Sequence, residues 1–143
     1  MSDKPFATGR CLCGKVSYSI ASKPLRMAQC HCDYCQRSSG TGHMSLAFFL
    51  KDDVTIEGKT SSYTTDADSG DEVTRHFCTE CGSRLFGTNN VLTNIMGVSV
   101  GCIDDNSWFK PGAIVYNKRK PVWDFMDESL PTFETMPPPK NID

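Results

Sequence analysis

Eight cysteines in 143 residues, seven of them gathered into three short groups, constrain this chain more than anything else in it. The groups are Cys11-x-Cys13, Cys30-x-Cys32-x-x-Cys35 and Cys78-x-x-Cys81, and the eighth thiol, Cys102, stands apart. Thiols at such spacing serve disulfides or metal ions, and the redox compartment decides which. The opening residues, Met1 to Gly9, hold no apolar stretch of signal-peptide length, so a cytoplasmic setting with reduced thiols is expected. Reduced cysteines this close together are metal ligands, and zinc is the ion they suit best.

Geometry then limits what each group can do. Cys11 and Cys13 share one face if their segment is a strand, so both sulfurs could reach one ion. Cys78-x-x-Cys81 followed by Gly82 has the spacing of a zinc knuckle, whose turn needs a backbone conformation that glycine adopts freely. Each pair is half of a tetrahedral site; joined, they make a closed four-cysteine site tying the first strand to a later hairpin. Cys30, Cys32 and Cys35 offer three thiolates and leave a fourth position for water or substrate, the pattern of a catalytic zinc. Spacing alone leaves the partition open, because the cysteines could group otherwise, or His31, His43, His76 or Cys102 could close the second site. Taken singly, Cys102 reads as a small buried apolar residue and His31 as a surface residue turned away from its cysteine neighbours. His43 and His76 read as structural.

The remainder suits a single domain over residues 1–136 and an extended Pro-rich tail over 137–143. Alternation in Val16-Ser17-Tyr18-Ser19-Ile20 predicts a half-buried strand, and Met44–Leu50, Val54–Glu57, Ile95–Val100 and Ala113–Tyr116 predict others. Gln36–Gly40 predicts a turn or a short helix stopped by Gly40, and the polar stretch 60–75 a surface loop or hairpin tip. No long window keeps helical periodicity, so the fold class is mainly β. A net charge of −2 without a clustered basic face argues against nucleic acid as a partner, and the lack of a long apolar run argues against a membrane span.

With these residues in hand, the chain resembles the glutathione-dependent formaldehyde-activating enzyme family, which includes centromere protein V-like proteins. The resemblance runs from about Gly9 to Phe133. It is carried by Gly9-Arg10-Cys11-Leu12-Cys13-Gly14-Lys15-Val16, by the stretch Cys30–Gly40 and by Thr74–Ser83, with Val98–Asp105 and Trp123–Phe133 similar to the family's ending. It implies a β-tent fold of packed antiparallel sheets stabilised by a structural zinc. It also implies two zincs per chain, a structural one on Cys11, Cys13, Cys78 and Cys81 and a catalytic one on Cys30, Cys32 and Cys35. The implied activity is a carbon–sulfur lyase reaction run in reverse: glutathione or a related thiol adds to formaldehyde or another small carbonyl compound. Glutathione carries two carboxylates, so its pocket wants cations. Arg37, beside the motif, is the first candidate, with Lys118-Arg119-Lys120 behind it, although that run also reads as a solvated strand end. Many relatives carry a histidine just before the Ile114-Val115-Tyr116 strand, where this chain has Gly112-Ala113. The competing class is a non-catalytic zinc-stabilised binding module, in which a fourth protein ligand closes the second site. Oligomeric state is not legible at this level.

Overall fold

The computed structural model of the chain describes residues 4–137, so all but the first residue of the expected tail 137–143 lies outside it. Tyr18 and Ile20 are buried while Ser17 and Ser19 are only partly so, the period of two that a half-buried strand requires. This strand, β2 (Ser17–Ile20), pairs antiparallel with β1 (Ala7–Arg10) on one side and β5 (Val54–Glu57) on the other, giving a three-stranded sheet.

The other strands form one seven-stranded sheet. In chain order they are β3 (Arg26–Cys30), β4 (Met44–Leu50), β6 (Thr60–Asp66), β7 (Glu72–Cys78), β8 (Arg84–Asn89), β9 (Ile95–Ser99) and β10 (Ala113–Val115). Their order across the sheet is β10-β3-β4-β9-β8-β7-β6. The two sheets close on a shared core. Ala7, Tyr18 and Ile20 come from the smaller sheet, and Ala47, Phe49, Leu85, Phe86, Met96 and Val98 from the larger. Tyr18 meets Phe86 edge-on at 5.1 Å between ring centroids. Full burial of each such side chain stabilises the fold by roughly 1.5–3 kcal/mol.

Two expectations change here. The sheets are not wholly antiparallel, because β10 runs parallel to β3. The long connection between β9 and β10 carries the chain back to the start of the sheet, which a parallel neighbour requires. The polar stretch 60–75 is mostly strand, with only residues 67–71 left as the hairpin tip. β6 is the sheet's edge and is largely exposed on both faces, so it needs no apolar alternation, and the signal that reveals strands is missing.

The register of β3 sorts its residues between two faces of the sheet. Cys30 lies opposite Met44 on β4 and Val115 on β10, and these three share one face. Met27 lies opposite Ala47 and both pack on the core, so Gln29, opposite Ser45, belongs to that other face. After Cys30 the chain enters α1 (Asp33–Ser39), a seven-residue helix ended by Gly40 in the left-handed conformation at φ 78°.

Candidate metal centres and their surroundings

Each cysteine group is built by local backbone geometry. Cys11 and Cys13 occupy not a strand but a tight turn just past β1, closed by the Gly14 N–H donating to the Cys11 carbonyl at 3.2 Å. The turn still brings their sulfurs to 3.6 Å, so the i, i+2 spacing serves a turn as well as a strand. Cys78 ends β7 and Cys81 follows in a second turn, where Gly82 has φ 78°. The Cys81 N–H points at the Cys78 sulfur at 3.5 Å, and Cys13 lies 3.8 Å from Cys78 across a separation of 65 residues. All four sulfurs lie within 4.8 Å of one another. A tetrahedral zinc with Zn–S bonds near 2.3 Å sets its sulfurs about 3.8 Å apart, so this donor set fits that ion. Ser83 braces the site: its hydroxyl lies 3.2 Å from the Cys81 sulfur and accepts the Leu12 N–H at 3.0 Å. Hydrogen bonds from Ser83 are the main reason the Cys81 thiol is held down at about 5, ready to ligate as thiolate.

The second group comes from the β3–α1 junction. Cys30 ends β3, Cys32 caps the N-terminus of α1, and Cys35 lies in its first turn. The Cys32 sulfur accepts the Cys35 N–H at 3.3 Å, and the Cys30 sulfur faces the Cys32 N–H at 3.5 Å. The three sulfurs lie within 4.8 Å of one another. None of the other candidate ligands joins them. His31 and His43 are engaged with Asp124, His76 lies 2.9 Å from the Thr88 hydroxyl, and the Cys102 thiol points at the Arg84 carbonyl at 3.6 Å. Cys102 is half-buried against the core, close to the small apolar role expected of it.

The electrostatics single out Cys35. Hydrogen bonding from Cys30 and Cys32 leads, and the guanidiniums of Arg84 and Arg75 add to it, so the Cys35 thiol is pulled down to about 3. Cys30 is pushed up, first by its hydrogen bond with Cys32. Arg84 comes from β8 and Arg75 from β7, and neither Nε has a hydrogen-bond partner among the described residues. Arg75 also stacks on Tyr34 at 5.4 Å, and Arg84 donates to the Ser38 hydroxyl at 2.7 Å. Arg37, the cation expected from sequence, has a side chain 78% exposed and forms a helical ion pair with Asp33 at 3.0 Å. Lys118 and Arg119 are exposed in a short 3₁₀ turn after β10, and Lys120 is half-buried. Met44, Ala113, Tyr116 and Phe133 pack around the thiols. Burial above all, then Asp68 and the thiols of Cys32 and Cys30, push the Tyr116 hydroxyl up to about 12. It is therefore a hydroxyl donor at neutral pH.

A third cluster escaped the sequence. His31, expected at the surface, is fully buried, and its Nδ1 donates to the Gly42 carbonyl at 2.9 Å. Asp124, far along the chain, sets one oxygen 3.4 Å from that nitrogen and 2.7 Å from His43 Nδ1. Zinc bonds to nitrogen and oxygen near 2.0–2.1 Å would space tetrahedral ligands about 3.3 Å apart. The 2.7 Å contact is a hydrogen-bond length, and the cluster reads as a proton-sharing network rather than a metal site. Only the resemblance of Trp123–Phe133 to a family ending drew attention to this segment in the sequence, and nothing local links Asp124 to the histidines.

Similarity to a known family spans all three cysteine groups. Residues 6–119 match the family described as glutathione-dependent formaldehyde-activating enzyme, which is most of the chain. A crystal structure of a Rhodobacter sphaeroides protein from a structural genomics programme superimposes with a TM-score of 0.54 and 20% identity, covering 68% of this chain and 87% of that one. At that identity the likeness speaks to the fold alone.

Proposed function

Because the chain belongs to the glutathione-dependent formaldehyde-activating enzyme family, we propose that it catalyses addition of glutathione, or a related thiol, to formaldehyde or another small carbonyl compound. The fold would then be the family's β-tent, with a structural zinc on Cys11, Cys13, Cys78 and Cys81 and a catalytic zinc on Cys30, Cys32 and Cys35, in a cytoplasmic protein. One observation carries this reading: three sulfurs converge with no fourth ligand drawn in among the described residues, and two guanidiniums stand beside them.

When bound, the second zinc supplies a site that favours thiolate over thiol at neutral pH. The chain's own residues do the rest. Arg84 and Arg75 offer positive charge to a thiol carrying carboxylates, and they take the role expected of Arg37. Met44, Val115 and Phe133 exclude water from the thiols. Tyr116 can donate a hydrogen bond to the carbonyl oxygen as charge develops there. In the balance, a C–S bond forms, the carbonyl π bond breaks, and the thiol proton ends on oxygen.

The test joins metal content to exchange kinetics. Purified protein should carry two zincs per chain, and should speed exchange between glutathione plus formaldehyde and S-(hydroxymethyl)glutathione, followed by NMR. A folded Cys32→Ala variant should lose one zinc and the acceleration. Two zincs indifferent to glutathione, with no acceleration for any small aldehyde, would point to a binding module instead.

A further inference from the structure

Across the sheet from the three thiols lies a cavity of about 490 Å³, within the range of small-molecule sites. Gln29 lines it, and the next residue, Cys30, faces the other way, so one strand serves both places. The other lining is largely apolar, from Phe109, Pro111, Phe125, Met126 and Leu130. His43, Lys110 and Asp127 add polar groups to the wall.

His43 is set up by its neighbours. Its Nδ1 lies 2.7 Å from Asp124 Oδ2, and a carboxylate oxygen there accepts, so Nδ1 carries the proton. Nε2 is then the ring's acceptor, and it takes the Gln29 amide N–H at 3.4 Å, a long and weak contact. An aspartate behind one imidazole nitrogen, and on the other an acceptor held only by a 3.4 Å amide contact, is the arrangement of a general-base dyad. Asp124 reaches this position because residue 42 has no side chain: an ideal Cβ on Gly42 would lie 2.4 Å from Asp124 Oδ2. Lys110, at the cavity wall, has no carboxylate within 4.0 Å among the described residues. Asp127 also lines the cavity, but its Oδ1 is occupied by the N–H and hydroxyl of Ser129 at 2.9 and 2.6 Å. Phe125, 90% exposed, stands free for a ligand to cover.

We propose that this cavity is a second small-molecule site, separate from the cysteine centres, which binds a small aromatic compound bearing an acidic hydroxyl. The phenolic O–H donates to His43 Nε2 in place of the weak Gln29 contact, which leaves that amide on the Ser45 hydroxyl; Asp124 steadies the imidazole, Lys110 offsets negative charge on the phenol oxygen, and the apolar wall takes the ring. A carboxylate ligand fits less well, because it brings no proton to an acceptor already backed by Asp124.

Titration of the zinc-loaded protein with 4-fluorophenol, followed by fluorine NMR, tests this directly. Saturable binding is expected, with fluorobenzene about tenfold weaker for want of one hydrogen bond. His43→Gln should weaken 4-fluorophenol by a similar factor. The wild-type protein gives a second readout that needs no variant: the His43 ring resonances should move with 4-fluorophenol and stay still with fluorobenzene. Equal binding of the two probes, or His43 resonances that ignore both, would overturn the proposal.

Discussion

Gly42 shows how much one absent methyl group can hold in place. Its alanine variant would drive a Cβ into the Asp124 carboxylate, so Asp124 must swing off His43. Gly42→Ala should lower stability by about 1–3 kcal/mol, read by thermal unfolding, and should abolish the shift of the His43 ring by 4-fluorophenol. Arg84 is the second residue to test. If its charge steers carboxylates, Arg84→Met should raise the KM for glutathione about tenfold and leave the KM for 2-mercaptoethanol, a neutral thiol, nearly unchanged. An equal rise for both thiols would assign Arg84 to packing alone. At this scale the sequence was readable only where neighbours in space are neighbours in the chain. Cys30, Cys32 and Cys35 announce themselves, because a strand end and one helical turn bring them together. Arg37 was the expected cation because it is adjacent in sequence, yet strands bring Arg75 and Arg84 to Cys35 from 40 residues or more away in the chain.

Among elements, the turn after β7 does more than hold two thiols. Ser83 both faces the Cys81 sulfur and takes the Leu12 N–H, so it locks the two cysteine turns to each other. Ser83→Ala should weaken zinc retention at the four-cysteine site about 10–100-fold, measured by competition with a chromogenic chelator, and leave the three-cysteine site unaffected. Beside β10, the segment Pro131 to Thr135 runs as a further extended stretch. It exchanges backbone hydrogen bonds with Ile114, Tyr116 and Asn117, and carries Phe133 onto the thiols. Ending the chain after Leu130 should therefore loosen the second zinc first, seen as faster chelator uptake of one equivalent. The elements legible in sequence are those with one buried face, such as β2 and β4. β6 was hidden because an exposed edge imposes no pattern, and the parallel pairing of β10 because parallel and antiparallel neighbours bury the same residues.

For the whole molecule, the two cysteine sites differ in what they connect. The four-cysteine site joins the first turn to the end of β7, closing a loop between residues 65 apart, and so it is part of the fold's stability. The three-cysteine site spans one junction and contributes little to closure. Chelator treatment should strip the zincs in sequence, the three-cysteine metal first with the far-ultraviolet spectrum unchanged, and unfolding only on loss of the second. Simultaneous loss, or unfolding with the first, would contradict that division. The same contrast sets an order of events during synthesis. Residues 30–35 can close on an ion as soon as they leave the ribosome, whereas Cys11 and Cys13 must wait for Cys78 and Cys81, about 3–13 s later at ordinary elongation rates. In that interval the waiting pair is an unfinished chelate. A metal that reaches the pair in that interval meets two thiolates rather than four, and is held by half a site.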